Sequence, residues 1–452
     1  MFIEFQVANF RSFRDLTKFT MRAFPKRAND RGADEGNVYE SMGERMLKSK
    51  AIFGANASGK SNLVKAMAAF ATMVSKSVER ENITKEIWEE RFGLASEWDS
   101  QAVFFQGLYM IDNSLYRYGF QILNRVISYE WLFVRKESET DETELLMRSP
   151  EKGIEVNNSA FRGAKAFAKQ ATDVNHEIFR PDSLFLTGAA LNGVKLAAVL
   201  RNEIRRIIIV DGIDDADVVQ LSMDVLQKGA SSQQLFIKSF MRAADTGVED
   251  MRLVHLPENV LNNRIPKELH SKLTAKNEEV HSLHAKHARY DDNGKLTDYI
   301  TVPFEDWESE GTGKLFGLSA PIMISLRTGR TLVIDEFDAR LHPNITLKIV
   351  EIFHSERTNP NNAQLIFVTH DASLLQRAEL RRDQISIVDK DNYGVSQLTI
   401  LAEYKGVRKD ASYEKEYLRG AYHGVAKVGL MDSVIEDFLK TELSKHDISV
   451  TK

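Results

Sequence analysis

Apolar and polar residues alternate in some stretches of the chain and recur at helical spacing in others. Residues 2–10 place Ile3, Phe5 and Val7 on one face and Glu4 and Gln6 on the other, predicting a half-buried strand. A polar stretch from Pro25 to Gly43 predicts a loop. Ala51-Ile52-Phe53 is a short apolar strand, and beyond a glycine-rich turn Leu63, Met67, Phe70 and Val74 follow at helical spacing. Residues 101–135 predict an antiparallel meander, with strands around Val103–Met110, Tyr116–Leu123 and Val126–Val134. The acidic run Glu137–Glu144 predicts a solvated loop. From Phe161 to Gly247 the pattern is mostly helical, with helices over 193–207, 214–228 and 232–244.

Strand character returns at Met251–Leu256, and a hairpin is expected across Asp291-Asp292-Asn293-Gly294. The last third reads strand (331–334), helix (343–354), strand (365–368), which predicts buried parallel strands. A second hairpin joins Gln384–Val388 to Val395–Ile400 across Asp391–Gly394. The chain ends in an amphipathic helix carrying Val434, Ile435, Phe438, Leu439 and Leu443.

At 452 residues, two or three structural units are expected, and 43% hydrophobic residues supply material for a sizeable core. No apolar run approaches the ~20 residues of a membrane span. The N-terminus lacks a signal peptide's charged start and apolar stretch. There is no cysteine, which excludes disulfides and thiolate metal sites. These features predict a soluble cytoplasmic protein. A net charge of −5 argues against a generally basic nucleic-acid binder, though it leaves a local basic patch open.

Gly54-Ala55-Asn56-Ala57-Ser58-Gly59-Lys60-Ser61 matches the phosphate-loop pattern GxxxxGK[ST], between an apolar strand and an amphipathic helix. Such a loop turns its N–H groups toward phosphate oxygens, helped by the positive end of the helix. The expected nucleotide contacts are Gly54, Asn56, Ser58, Gly59, Lys60, Ser61 and Asn62. Lys60 would reach the β and γ phosphates of ATP, and the Ser61 hydroxyl would ligate Mg²⁺. Thr331-Leu332-Val333-Ile334 is a buried strand that ends in Asp335-Glu336. Asp335 is expected to hold Mg²⁺ through water and Glu336 to polarise the attacking water. His370 follows the next apolar strand, placed to sense the γ-phosphate.

Ser309-Glu310-Gly311-Thr312-Gly313-Lys314, ahead of the Asp335-Glu336 strand, resembles an ABC signature segment, with Glu310 at a usual glycine position. Asn9-Phe10-Arg11-Ser12-Phe13 resembles the N-terminal NFRSF strand of RecF-, SMC- and OLD-like ATPases. Asp335-Glu336-Phe337-Asp338-Ala339-Arg340-Leu341-His342-Pro343 resembles their strand-end acids and D-loop, with Asp338 in the D-loop. Tyr417-Leu418-Arg419-Gly420-Ala421-Tyr422-His423-Gly424 is similar to the ending of RloA-like ATPases, with Ala426-Lys427 where a proline is usual. The resemblance covers roughly residues 1–70, 100–135, 180–255 and 305–428 and points to the RloA/AbiL-type AAA ATPases of prokaryotic anti-phage modules, to which the ATPase of the PARIS system is related.

The resemblance implies an α/β ABC-type head: mixed and parallel sheet, an antiparallel β-subdomain and a mainly helical insertion. Residues 1–150 would carry the phosphate loop and meander, 151–250 the helical insertion, and 251–452 the signature, acids, D-loop and His370. It also implies a head-to-head dimer or higher oligomer, with Ser309, Glu310, Gly311 and Thr312 capping the γ-phosphate held by the other copy. Arg11 is either a nucleotide contact or a surface arginine at a strand end. Function would be a slow, regulatory ATP hydrolase that controls a separate effector, such as a nuclease or toxin, in response to a phage-derived trigger. Two alternatives stay open: a RecF/SMC-like DNA-maintenance ATPase that binds DNA directly, and an OLD-type nuclease. Against these, no long heptad arm or strong basic tract is visible, and the tail after Asp389-Lys390-Asp391 is short for a Toprim domain. His281, His284 and His287 on a strand would not share one face, so they predict no metal site.

Overall fold

The computed structural model describes residues 1–25, 36–172, 179–212, 216–255, 281–404, 412–426 and 431–449. An antiparallel sheet has the spatial order β10 (Gly153–Val156), β9 (Thr143–Ser149), β8 (Val126–Lys136), β7 (Ser114–Leu123), β6 (Val103–Ile111), β1 (Phe2–Ala8) and β2 (Thr17–Thr20). A second sheet has the order β11 (Ile208–Val210), β15 (Thr331–Ile334), β16 (Gln364–Val368), β5 (Ser49–Phe53), β17 (Ile385–Lys390) and β18 (Ser396–Ile400). Its neighbours from β11 to β17 pair in parallel, and β18 returns antiparallel as a hairpin arm. A ribbon of β3 (Val38–Ser41) and β4 (Glu44–Leu47) and a three-stranded sheet of β12 (Asp250–His255), β13 (His281–Tyr290) and β14 (Leu296–Pro303) complete the strands among the described residues. These are the layers of an ABC-type phosphate-loop head: a parallel sheet, an antiparallel β-subdomain, and helices on and between them.

The helix Lys60–Lys76 is the element on which the first core condenses. Leu63, Met67, Phe70, Met73 and Val74 are buried with residues of the antiparallel sheet and with Ile52, Val333, Ile366 and Val368 of the parallel one. Phe70 stacks on Phe120 with ring centroids 5.6 Å apart and meets Phe5 edge-on at 5.7 Å. The other face of the parallel sheet buries Phe53, Ile334 and Phe367 against the helices Glu310–Thr328 and Pro343–His354. Strands buried on both faces must be apolar throughout, which is why Thr331–Ile334 and Leu365–Val368 read as continuous runs.

The expected helix over 193–207 is shorter, Lys195–Ile204, because Ile208–Val210 leaves the helical pattern and pairs as β11 beside β15. Consecutive β-branched residues favour that edge strand. The acidic loop is confined to 137–142, since β9 already begins at Thr143. A helix at Phe185–Leu191 has no expectation in the sequence reading, and its start is held by a residue far away. The carboxylate of Glu130, fully buried on β8, accepts from the Phe185 and Leu186 amides at 2.7 and 2.9 Å and from the Tyr118 hydroxyl at 2.8 Å. Burial pushes its pKa up, while Arg148 (3.8 Å away), the two amides and Tyr118 oppose that. A side chain from the meander thus does the work of a local cap. The terminal helix Met431–Ser449 is present, but Val434, Ile435, Phe438 and Leu439 are exposed.

Removing one member of a buried charged network leaves its partners without compensation. Glu130→Ala is expected to lower stability by about 3 kcal/mol, and Glu130→Gln by less, in urea denaturation. Equal and negligible losses for both would show that the carboxylate does not hold the Phe185 helix.

Candidate active site

Parallel strands present their C-terminal ends at one edge, and loops leaving that edge can converge. Here β5 runs into Gly54–Gly59, β15 into Asp335-Glu336 and β16 into Thr369-His370. The phosphate loop departs from ordinary backbone geometry, with φ of 156° at Gly54, 61° at Ala57 and 111° at Gly59. A Cβ at Gly54 would lie 2.3 Å from the Val388 carbonyl oxygen, and one at Gly59 would lie 2.2 Å from Ser396 Oγ. Only glycine fits at these two places.

The Lys60 ammonium is buried and donates to the carbonyls of Gly54 and Ala55, both at 2.9 Å. Burial lowers its pKa from the ordinary lysine value, against the raising influence of Glu336, Asp335 and Asp338. Asp335 is pushed above the usual carboxylate range, chiefly by burial, although the Ser61 hydroxyl and the Glu336 amide donate to it. Next to it, Glu336 sits at φ 45°, and its Oε1 is 3.7 Å from His370 Nε2. The Asp338 carboxylate accepts from the His370 amide at 3.0 Å. Lys60, Ser61, Asp335, Glu336, Asp338 and His370 therefore form one cluster.

A magnesium nucleotide fits this donor set. Ser61 and Asp335 offer hard oxygen ligands, of the kind Mg²⁺ takes alongside phosphate oxygens. The Ser58 hydroxyl in the loop is 3% exposed and has no hydrogen-bond partner, a polar group suited to a phosphate oxygen. Among the described residues no group of three or more His, Cys, Asp or Glu could hold a metal by itself. His287 is bonded to the Gly247 carbonyl and to Glu308.

Other expected contacts are engaged elsewhere. Arg11, at φ 51°, makes a bidentate pair with Glu90 at 3.0 and 2.6 Å. Asn62 donates to Ser12 Oγ at 2.7 Å, whereas Asn56 is exposed on the loop. Ser309 caps the helix Glu310–Thr328, accepting from the Thr312 amide at 3.1 Å. Glu310, the departure from the signature pattern, pairs with Arg340 at 3.2 Å, and a Cβ at Gly311 would lie 2.3 Å from the Arg340 carbonyl oxygen. Among the described residues Ser309–Thr312 make no hydrogen bond or ion pair to the phosphate loop of their own chain.

Several residues of the site have no assignment in the sequence reading. Lys314 is buried in the helix Glu310–Thr328 and donates to the Glu336 carbonyl at 2.6 Å and the Gly212 carbonyl at 3.3 Å. A lysine heading the mostly apolar helical run 315–323 is the signal that could have flagged it. Beneath the loop, Asn62 donates to Ser12 Oγ, and Ser12 and Ser396 hydroxyls meet at 2.7 Å, with Ser396 donating on to the Ser58 carbonyl at 2.5 Å. Ser12 lies in the Asn9–Phe13 motif, whereas no local pattern reveals Ser396, 384 residues further on.

A family model described as "AAA domain, putative AbiEii toxin, Type IV TA system" matches residues 51–177 and 232–376, more than half of the chain. A search of curated proteins finds no match. Among solved structures, the Smc head bound to the C-winged helix domain of ScpA is 14% identical, with a TM-score of 0.44 over 88% of this chain and 96% of that one. CbiO1 from Clostridium perfringens, part of the CbiONQ ABC transporter complex, is 13% identical, with a TM-score of 0.26 over 90% of this chain and 97% of that one.

Lys314→Met would leave two carbonyls without this donor while keeping the side chain's length. It is expected to cost about 2 kcal/mol in urea denaturation, with the loss centred on the Glu336 turn. Wild-type stability in this variant would mean that Lys314 does not hold the turn.

Proposed function

The chain belongs to the AAA-domain family described with the AbiEii toxin and Type IV TA systems, and from that premise we propose that it is a slow, regulatory ATPase. In this reading two copies close on ATP and control a separate effector, a nuclease or other toxin, in a prokaryotic anti-phage module of the RloA/AbiL type. The observation that carries it is the convergence of Lys60, Ser61, Asp335, Glu336 and His370 at one sheet edge. Bound Mg²⁺ would neutralise phosphate charge and orient the leaving group. Ser61 and, through water, Asp335 would hold that ion, and Lys60, now on its loop carbonyls, would engage the β and γ phosphates. Gly54, Asn56, Ser58 and Gly59 turn amides and hydroxyl toward the same oxygens. Glu336 accepts the proton of the attacking water, and His370, beside it, reports the γ-phosphate.

The exposed serine-capped helix start at Ser309–Thr312, tied to Arg340 rather than to its own phosphate loop, is suited to the loop of a second copy. Asp338 would sit at that interface. Arg11, paired with Glu90, is better read as a support of its turn than as a nucleotide contact. A phage-derived molecule is the natural trigger for release of the effector. A cytoplasmic setting accords with a chain that has no cysteine and, among its described residues, no helix long and apolar enough to cross a membrane.

Lys60→Ala is expected to weaken Mg-ATP binding by roughly 100-fold, the loss of about two charge-assisted contacts. Glu336→Gln should slow hydrolysis by about 100-fold or more and accumulate an ATP-dependent dimer in mass photometry, which retains a co-expressed neighbouring gene product. Wild-type turnover by Glu336→Gln would remove it as the base. A salt-dependent DNA complex with no protein partner would favour the DNA-maintenance alternative instead.

A further inference from the structure

The tail segment Tyr413–Ala426 lies outside the residues matched by the family model, and none of the chemistry above uses it. Yet it packs directly on the phosphate loop. Tyr417, on the helix Tyr413–Leu418, is 7% exposed and lays its ring edge-on to Phe53, with centroids 5.8 Å apart. Its hydroxyl donates to the Gly424 carbonyl at 3.0 Å. Burial pushes the Tyr417 phenol up to about 12, with the Gly54 backbone acting against that. Gly424 stands at φ 65°, and a Cβ there would lie 2.5 Å from Ile387 Cγ2, 3.2 Å from the Val388 carbonyl oxygen and 3.5 Å from Gly54 Cα. The chain then passes close under the turn, with Tyr404 donating to the Tyr422 carbonyl at 2.6 Å.

We propose that Tyr417 is a positioning residue for the phosphate loop: its ring on Phe53 and its hydroxyl on the Gly424 carbonyl hold Gly424 against Gly54, making the C-terminal segment a clamp on the turn that receives the nucleotide phosphates. The inference deepens the ATPase reading and rests on it for its consequence, not for its geometry. Gly54 is the first residue of the loop, at a backbone angle other residues rarely adopt, so an anchor there sets the direction in which the following amides point. Gly424 is needed because any side chain would separate the tail from Gly54.

Two variants and two readouts test the clamp. Tyr417→Phe removes the oxygen and keeps the ring on Phe53. Hydrogen exchange of the nucleotide-free protein should speed up over residues 54–60, and the Kd for Mg-ATP should rise roughly tenfold, the effect of the buried Gly424 carbonyl left without its donor. A merely structural role would lower the thermal midpoint without touching the exchange of the loop selectively. Gly424→Ala should reproduce both effects by pushing the tail away. Unchanged exchange over 54–60 in both variants overturns the clamp, whether or not ATP binds. A wild-type protein that binds no Mg-ATP overturns the ATPase reading, and the exchange measurement still decides the clamp.

Discussion

The phosphate loop is a conformation that a peptide does not keep unaided. Three of its six residues before Lys60 have positive φ, and one of them, Ala57, carries a side chain. Such a turn persists only when its surroundings over-determine it. Here the supports come from every part of the chain: Ser12 from the N-terminal turn, Asn62 from the following helix, Val388 and Ser396 from the β17–β18 hairpin. Ser12 and Ser396 are 384 residues apart in sequence and touch through their hydroxyls. The Ser396 amide also donates to the Ser12 carbonyl at 2.7 Å, joining the edge strand β18 of the parallel sheet to the turn that precedes β2.

Two adjacent carboxylates just past the end of β15 are given different surroundings because the backbone turns at Glu336, at φ 45°. Asp335 turns inward, is buried, and accepts from Ser61. Glu336 turns outward and is partly exposed beside His370. A buried acid paired with a hydroxyl suits a held cation, and a more open acid beside a histidine suits a moving proton. The same pair of letters thus acquires two environments from the backbone alone.

What the sequence reveals follows the range of the interaction. The strands Ala51–Phe53 and Thr331–Ile334, the loop between Gly54 and Ser61, and the hairpin at Asp391–Gly394 are local patterns, and each is legible. Glu130 at the start of the Phe185 helix, Lys314 under Glu336 and Tyr417 against Phe53 and Gly424 are tertiary, and no spacing rule points to their partners. The terminal helix shows the other limit. Its periodicity identifies an apolar face, but a period carries no information about what covers that face, and Phe438 and Leu439 stand exposed. Glu310 shows how a departure from a motif can keep a structural role, since its carboxylate joins the helix start to Arg340.

Glu336 itself ties these strands together. A turn at φ 45° favours glycine, and a glutamate there is strained by roughly 1 kcal/mol or more. Nothing in the packing of the parallel sheet asks for that side chain, because Phe337 supplies the buried contact and its amide closes onto the Val368 carbonyl. Instead the backbone is held from behind: Lys314 donates to the Glu336 carbonyl, and Gly212 passes so close that a Cβ would lie 2.0 Å from the Asp335 oxygen. A buried lysine and a glycine from two distant segments thus maintain an unfavourable turn whose product is one carboxylate facing His370. Strain maintained in this way, at a residue dispensable to the core, is itself an argument that the carboxylate is there for chemistry.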